Sequence, residues 1–230
     1  MPLVVTNRLV AGVTALVAIA LLVLAVPRTI SAFVTIPSGP VMIKLQLLQP
    51  VATEELNTLI ESQHRGLNWD SRGRTRTDLG LARLLMADQR PRDDSQWQAN
   101  MDEAIKSLRE GLALAPANPY AWTRLAYAET QLNGWSPAAI AALRLAFVTA
   151  PYEPRLVLSR LRLSFLAWPH MTPEDRRLVF QQISYAWKDG PRELTVLAMD
   201  LRVANLVRAA LLTSPDDLAD FEKRLENQGR

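Results

Sequence analysis

The sequence predicts an all-α chain: one N-terminal transmembrane helix, then a stack of antiparallel helical hairpins closed by a C-terminal helical cap. Three observations predict it. Leu9–Val26 is an uncharged apolar run of eighteen residues, broken only by Gly12 and Thr14. Asn118-Pro119, Ser136-Pro137, Glu153-Pro154, Thr172-Pro173, Gly190-Pro191 and Ser214-Pro215 each put proline at a first helical position, where the missing N–H has no intrahelical partner to lose. The first five of these starts are spaced 17–19 residues apart, which leaves helices of about 13–15 residues joined by tight turns.

Residues 1–8 read as a short tail and 9–26 as the span. Eighteen residues cover roughly 27 Å as a helix, close to the hydrocarbon thickness of a bilayer. A cleaved signal peptide is the rival reading; it requires a core of about 7–15 residues and a small-residue cleavage site, for which Ile30-Ser31-Ala32 is a poor match. Gly12, Thr14, Ala15 and Ala18 give the span a small-residue face for packing on a partner helix. Residues 27–52 form a connector broken by Pro27, Pro37, Gly39, Pro40 and Pro50, with a short helix from Pro40 that packs on the domain or lies at the membrane surface. Residues 53–230 form the helical domain. Thr53–His64 is an amphipathic helix with Leu56, Leu59 and Ile60 on one face, expected to close one end of the stack. A cap over 190–226, carrying Leu194, Leu197, Leu201, Leu206, Leu211 and Leu212, closes the other.

Charge divides the chain. Arg8, Arg28 and Lys44 are the only formal charges in the first fifty residues, and residues 51–230 balance 23 basic against 23 acidic side chains. The net +3 therefore belongs to the membrane-proximal part, and no nucleic acid partner is expected, since that requires a basic face on the folded domain. The Arg72, Arg74, Arg76 and Arg155, Arg160, Arg162 groups read as solvated helix faces paired with nearby acids, or as anion sites. There is no cysteine, which excludes disulfides, thiolate metal sites and cysteine nucleophiles.

Between 73 and 188 the hairpins repeat. Ala104, Leu108, Gly111 and Pro116 recur 35 residues later as Ala139, Leu143, Ala146 and Pro151. Thr77, Leu79 and Gly80 correspond to Thr123, Leu125 and Ala126 at an offset of 46, so the first unit holds 11 extra residues, assigned to the polar stretch Arg90–Ser95. Trp122, Leu125 and Ala126, followed by Ala139, Leu143, Ala146 and Pro151, resemble the two helices of the tetratricopeptide repeat, with one residue inserted near Gly134-Trp135. The resemblance covers about half of the chain. Glu129 stands where the motif has Tyr, Arg76 where the preceding unit should have Trp, and the unit from Pro154 loses the small residues.

The resemblance implies a groove lined by the first helix of each hairpin: Arg74 and Thr77, then Tyr120, Thr123, Tyr127 and Thr130, then Arg155 and Arg162. Such a surface suits an extended peptide, a carboxylate or a glycan, unless the connector fills it. No catalytic or metal-binding motif is present (HExxH, GxSxG, GxGxxG, Walker loop). His64 and His170 are isolated, and the paired carboxylates Glu54-Glu55, Asp93-Asp94, Glu174-Asp175 and Asp216-Asp217 lie at or near helix starts, where the dipole accounts for them. No cofactor is expected. The reading is a non-catalytic interaction module of a bacterial inner membrane. Its lipid contact is 9–26, its domain is periplasmic, and its partner is an integral inner-membrane protein or envelope complex, with polysaccharide polymerisation or export favoured. The alternatives are a glycan-acting or other hydrolase with an unrecognised site, and a scaffold facing the cytoplasm.

Overall fold

In the computed structural model, residues 2–228 are described, with side chains described for residues 11–227. Met1 and the side chains of the expected tail and of Leu9 and Val10 lie outside them. The described residues form twelve α-helices and two short 3-10 turns, with no strand. The first helix, α1 (Pro2–Val34), runs on through Pro27. Its stretch Ala11–Val34 is long and apolar enough to cross a membrane, and none of its most apolar window is buried in the protein. Gly12, Thr14, Ala15 and Ala18 are exposed along it.

The expected span 9–26 stops short of Pro27, a residue that ordinarily breaks a helix, whereas the helix itself runs on to Val34. Packing supplies the difference. The end of α1 lies on α3 (Thr53–Leu67), where the Ser31 hydroxyl donates to the Gly66 carbonyl at 3.0 Å. A Cβ on Gly66 would stand 2.6 Å from the Thr35 side chain, so the two helices touch closely here. After a 3-10 turn at Ile36–Ser38, α2 (Gly39–Gln46) buries Val41 against Leu56, Leu59 and Ile60 of α3 and Leu79 of α4 (Gly73–Asp88).

Three hairpins follow: α4 with α5 (Ser95–Leu114), α6 (Pro119–Asn133) with α7 (Pro137–Thr149), and α8 (Pro154–Ala167) with α9 (Pro173–Asp189). Helices α4, α6, α8 and then α10 (Pro191–Asp200) are successive neighbours in one layer; α5 packs between α4 and α6, and α7 between α6 and α8. The chain is thus a helical-repeat-like stack. Asn118, Ser136, Glu153 and Thr172 each accept from a first-turn N–H, which caps the helix that follows. The first hairpin absorbs its extra residues both as the Gln89–Asp94 loop and as helix, since α5 has 20 residues against 13 in α7. Gly134, at φ +65, ends α6 in a conformation that a side chain would strain.

Small residues set the helix spacing. Ala104, Ala126, Ala139 and Ala146 are fully buried, and at Gly111 the backbones of α4 and α5 nearly touch. Glu129, the departure from Tyr, is 2% exposed; it accepts from Arg109 of α5 at 2.5 Å and from Asn133 at 3.0 Å. At the far end α11 (Ala204–Leu211) and α12 (Pro215–Gln228) cover the stack, and Phe221 meets Trp187 edge-on at 5.9 Å.

Candidate functional site

One face of the α4–α6–α8–α10 layer carries a row of polar, mostly partly exposed side chains. On α6 the residues at helical spacing along this face are Tyr120, Arg124, Tyr127 and Gln131. On α4 they are Arg74, Asp78 and Asp88, and on α8 they are Arg155 and Arg162. Each helix starts at a fixed point in its repeat, so these positions fall side by side.

One cluster spans α4, α6 and the start of α8. Asp78 is partly buried, and its nearest cation is Arg74 at 3.7 Å. Burial pushes its carboxyl above the usual range, against the pull of Arg74 and Arg124. Burial lowers the pKa of Arg124, against the pull of Asp78 and Tyr120. In both groups burial is the larger influence and the neighbouring opposite charge the smaller one. The Tyr120 phenol is raised, first by burial and then by a hydrogen bond with Glu153, with Arg155 acting in the opposite sense.

A second cluster joins α4 to the end of α6. The Tyr127 hydroxyl donates to Asp88 Oδ1 at 3.1 Å, and Arg92 hydrogen-bonds Gln131. Burial, then Asp88, push the phenol up to about 12. Burial raises the Asp88 carboxyl, partly offset by the phenol and by Arg92. Further along, Arg162 joins Arg192, Glu193 and Asp200 in an open cleft of ≈ 380 Å³ between α8 and α10.

Several residues expected in the groove are placed elsewhere. Thr77 is 1% exposed, with its hydroxyl on the Arg74 carbonyl and its methyl against Gly111. Thr123 is buried and bonds the Pro119 carbonyl, and the Thr130 hydroxyl bonds the Ala126 carbonyl. A threonine that returns its only hydrogen to its own helix within the hairpin contact has no donor left for a partner. Arg74, Tyr120, Tyr127, Arg155 and Arg162 do share the layer's face. Sequence reasoning missed Arg124, Asp78 and Asp88. The spacing of Arg124 and Tyr127 from Tyr120, by four and seven residues, was the signal that pointed to this face.

Arg160 and three of the tryptophans lie in structural contacts. Arg160 is fully buried, donates to the Ala150 carbonyl at 2.8 Å and lies over the Phe147 ring at 5.8 Å. Trp122 donates to the Pro116 carbonyl at 2.8 Å, and Trp97 and Trp187 are core residues. The connector meets the edge of this face: Val51 and Leu45 line a small cleft of ≈ 240 Å³ together with Leu85 and Asp88. His64 and His170 are exposed, and among the described residues no three acidic or histidine side chains gather to hold a metal ion. Compared with protein-family models, curated proteins and solved structures, the chain matches none.

Proposed function

We propose that the chain is a single-pass membrane-anchored interaction module. Its tetratricopeptide-like layer α4–α6–α8–α10 receives a segment of an integral membrane partner in the bacterial envelope, with the domain on the periplasmic side. One observation carries the reading. An apolar helix whose most apolar window is unburied leads into a stack on whose α4–α6–α8–α10 layer Arg74, Tyr120, Arg124, Tyr127, Arg155 and Arg162 line one face. A helix of that kind needs lipid around it, and a row of arginines and phenols suits a partner that presents carboxylates and carbonyls.

A non-catalytic role is supported by how the carboxylates along the face are engaged. Asp78 stands with Arg74 and Arg124, Asp88 with Tyr127, and Glu153 with Tyr120. Alternating arginines and phenols suit a peptide that presents both carboxylates and backbone carbonyls.

The test is photo-crosslinking in intact cells from a probe at Tyr127 or Arg155, with a control probe at Ala141, which is exposed on α7. Adducts to an integral membrane protein from the first two sites and not from the third support the proposal. Equal adducts from all three, or release of the protein by alkaline washing of membranes, overturns it.

A further inference from the structure

Helix α8 carries Arg155, Leu158 and Arg162 on one exposed face, at steps of three and four residues. Leu158 and Arg162 also line the open cleft of ≈ 380 Å³ between α8 and α10. The α10 wall of that cleft is apolar at Val196 and Leu197 and charged at Arg192, Glu193 and Asp200. Leu158 and Val196 are 37 and 41% exposed, so hydrocarbon lies open to solvent on both sides. Among the described residues, no hydrogen bond or ion pair engages the guanidinium of Arg155, Arg162 or Arg192, or the carboxylate of Glu193 or Asp200. Elsewhere on the layer the acids are engaged: Asp78 by Arg74, Asp88 by Tyr127 and Glu153 by Tyr120. The free charge along α8 is therefore positive, with an apolar step between its two arginines.

We propose that this cleft selects the peptide: it takes a short extended segment in which two carboxylates, three residues apart, flank an aliphatic side chain. The proposal rests on the reading of the layer as a peptide-receiving surface and names the part of the peptide that is read. Arg155 and Arg162 are seven residues apart on α8, two turns or about 10.5 Å. A segment in the polyproline conformation has three residues per turn and rises about 3.1 Å per residue, so carboxylates at i and i+3 point the same way about 9.3 Å apart. Laid along α8, it sets one carboxylate on each guanidinium, the partner that arginine holds through two parallel hydrogen bonds. The residues between them point sideways, where Leu158, Val196 and Leu197 offer hydrocarbon contact.

Charge and shape together select this occupant. A single small anion reaches only one of the two arginines, and an acidic sugar chain brings carboxylates without the aliphatic group. Glu193 and Asp200 on the α10 wall repel a third carboxylate, so the cleft distinguishes a spaced pair of acids from a plain acidic run.

Fluorescence polarisation with the full-length protein in detergent tests this, using fluorescein-labelled synthetic peptides built on a Gly-Ser frame. The reference peptide contains Glu-Leu-Ser-Glu. The comparison peptides contain Glu-Glu-Leu-Ser, Gln-Leu-Ser-Gln, Glu-Ser-Ser-Glu or a run of glutamates. The reference should bind saturably and more tightly than every comparison peptide. Arg155→Ser or Arg162→Ser should weaken it by about tenfold or more, the effect of one lost charge-assisted contact. Val196→Asp should weaken it as well. All three positions are exposed, so an unchanged circular dichroism melt separates lost binding from lost fold. Equal affinity for every acidic peptide, or binding that survives all three substitutions, overturns the proposal. If no peptide binds while the Tyr127 probe still forms its adduct in cells, the cleft falls and the layer reading stands; if that adduct is missing too, both fall. A dimer in sedimentation that Val196→Asp dissociates assigns the cleft to a second copy and overturns the proposal.

Discussion

Replacing Asp175 probes how the second and third hairpins are held together. Its carboxylate accepts from Arg144 of α7 through Nε at 2.5 Å and Nη2 at 2.9 Å, and from the Thr172 N–H and hydroxyl at 3.1 and 2.8 Å. One side chain therefore completes the capping box of α9 and ties α9 to α7. A charge-assisted hydrogen bond contributes about 1.5–3 kcal/mol, and an N-terminal cap about 1 kcal/mol. Asp175 is buried, but the Arg144 side chain is 45% exposed and water replaces part of what it loses, so the low end of the ion-pair range applies. Asp175→Ala should then cost about 2.5 kcal/mol, a fall in Tm of roughly 5–10 °C for a domain of this size. Asp175→Asn, which can keep the capping contacts, should cost less. Thermal unfolding of the full chain in detergent by far-UV circular dichroism measures both, and Arg144→Ala closes a double-mutant cycle. The Arg144 contact, followed by burial acting the other way and the Thr172 bonds, lowers the Asp175 pKa. A depressed carboxyl stabilises the fold fully above its unfolded pKa of about 3.9, and that contribution disappears as pH falls through the native value. The gap between wild type and Asp175→Asn should therefore shrink below about pH 4. A coupling energy under about 0.5 kcal/mol, within ordinary additivity, would refute the reasoning.

Gly111→Ala gains about 1 kcal/mol of helix propensity but places a methyl 2.6 Å from Thr77 Cγ2 and 2.8 Å from the Gly73 carbonyl oxygen. Overpacking costs about 1–3 kcal/mol, so Tm should fall, whereas Gly39→Ala, with nothing within 4 Å, should not lower it; a higher Tm for Gly111→Ala contradicts the close crossing. In an alkaline ultraviolet titration, Tyr127→Phe should remove the phenol that ionises at about 12, and Asp88→Asn should lower that value without restoring the ordinary one, because burial is the larger cause. The neutral phenol is the form the fold favours, so its contribution is complete below about pH 10 and is lost as pH rises through the native value. Arg160→Met should unfold within about 1 kcal/mol of wild type or above it, because Nε and Nη2 of this buried guanidinium have no hydrogen-bond partner in the structure; a loss of more than about 3 kcal/mol would show that the charge is better compensated than the contacts indicate.

What the sequence made legible was local. All six proline starts open helices, because the signal needs only the first turn: a missing N–H that costs nothing and a cap before it. The buried faces of α3 and of the hairpins followed from spacing. What it hid depended on neighbours. Pro27 reads as a stop, yet the helix continues because Ser31 and Thr35 find α3, a contact 35 residues away in sequence. Thr77 and Thr123 were assigned to the groove by analogy with the repeat, but the face turned outward is set by where the paired helix stands, and that helix covers them. The face itself was readable from the helical spacing of Tyr120 and Tyr127, which also brings in Arg124. The groove residues named from the repeat thus divide between this face (Arg74, Tyr120, Tyr127, Arg155 and Arg162) and the buried side of their helices (Thr77 and Thr123).

The joint between Ser31 and Gly66 has a mechanical consequence. Membrane-crossing helices adjust to bilayer thickness by changing tilt. If α1 crosses a membrane as proposed, the Ser31–Gly66 contact ties its tilt to α3, so the stack turns with its anchor. On the proposed reading, the angle at which the layer face meets its partner is set by the thickness of the surrounding lipid, and the protein works as a lever whose fulcrum lies at the water boundary.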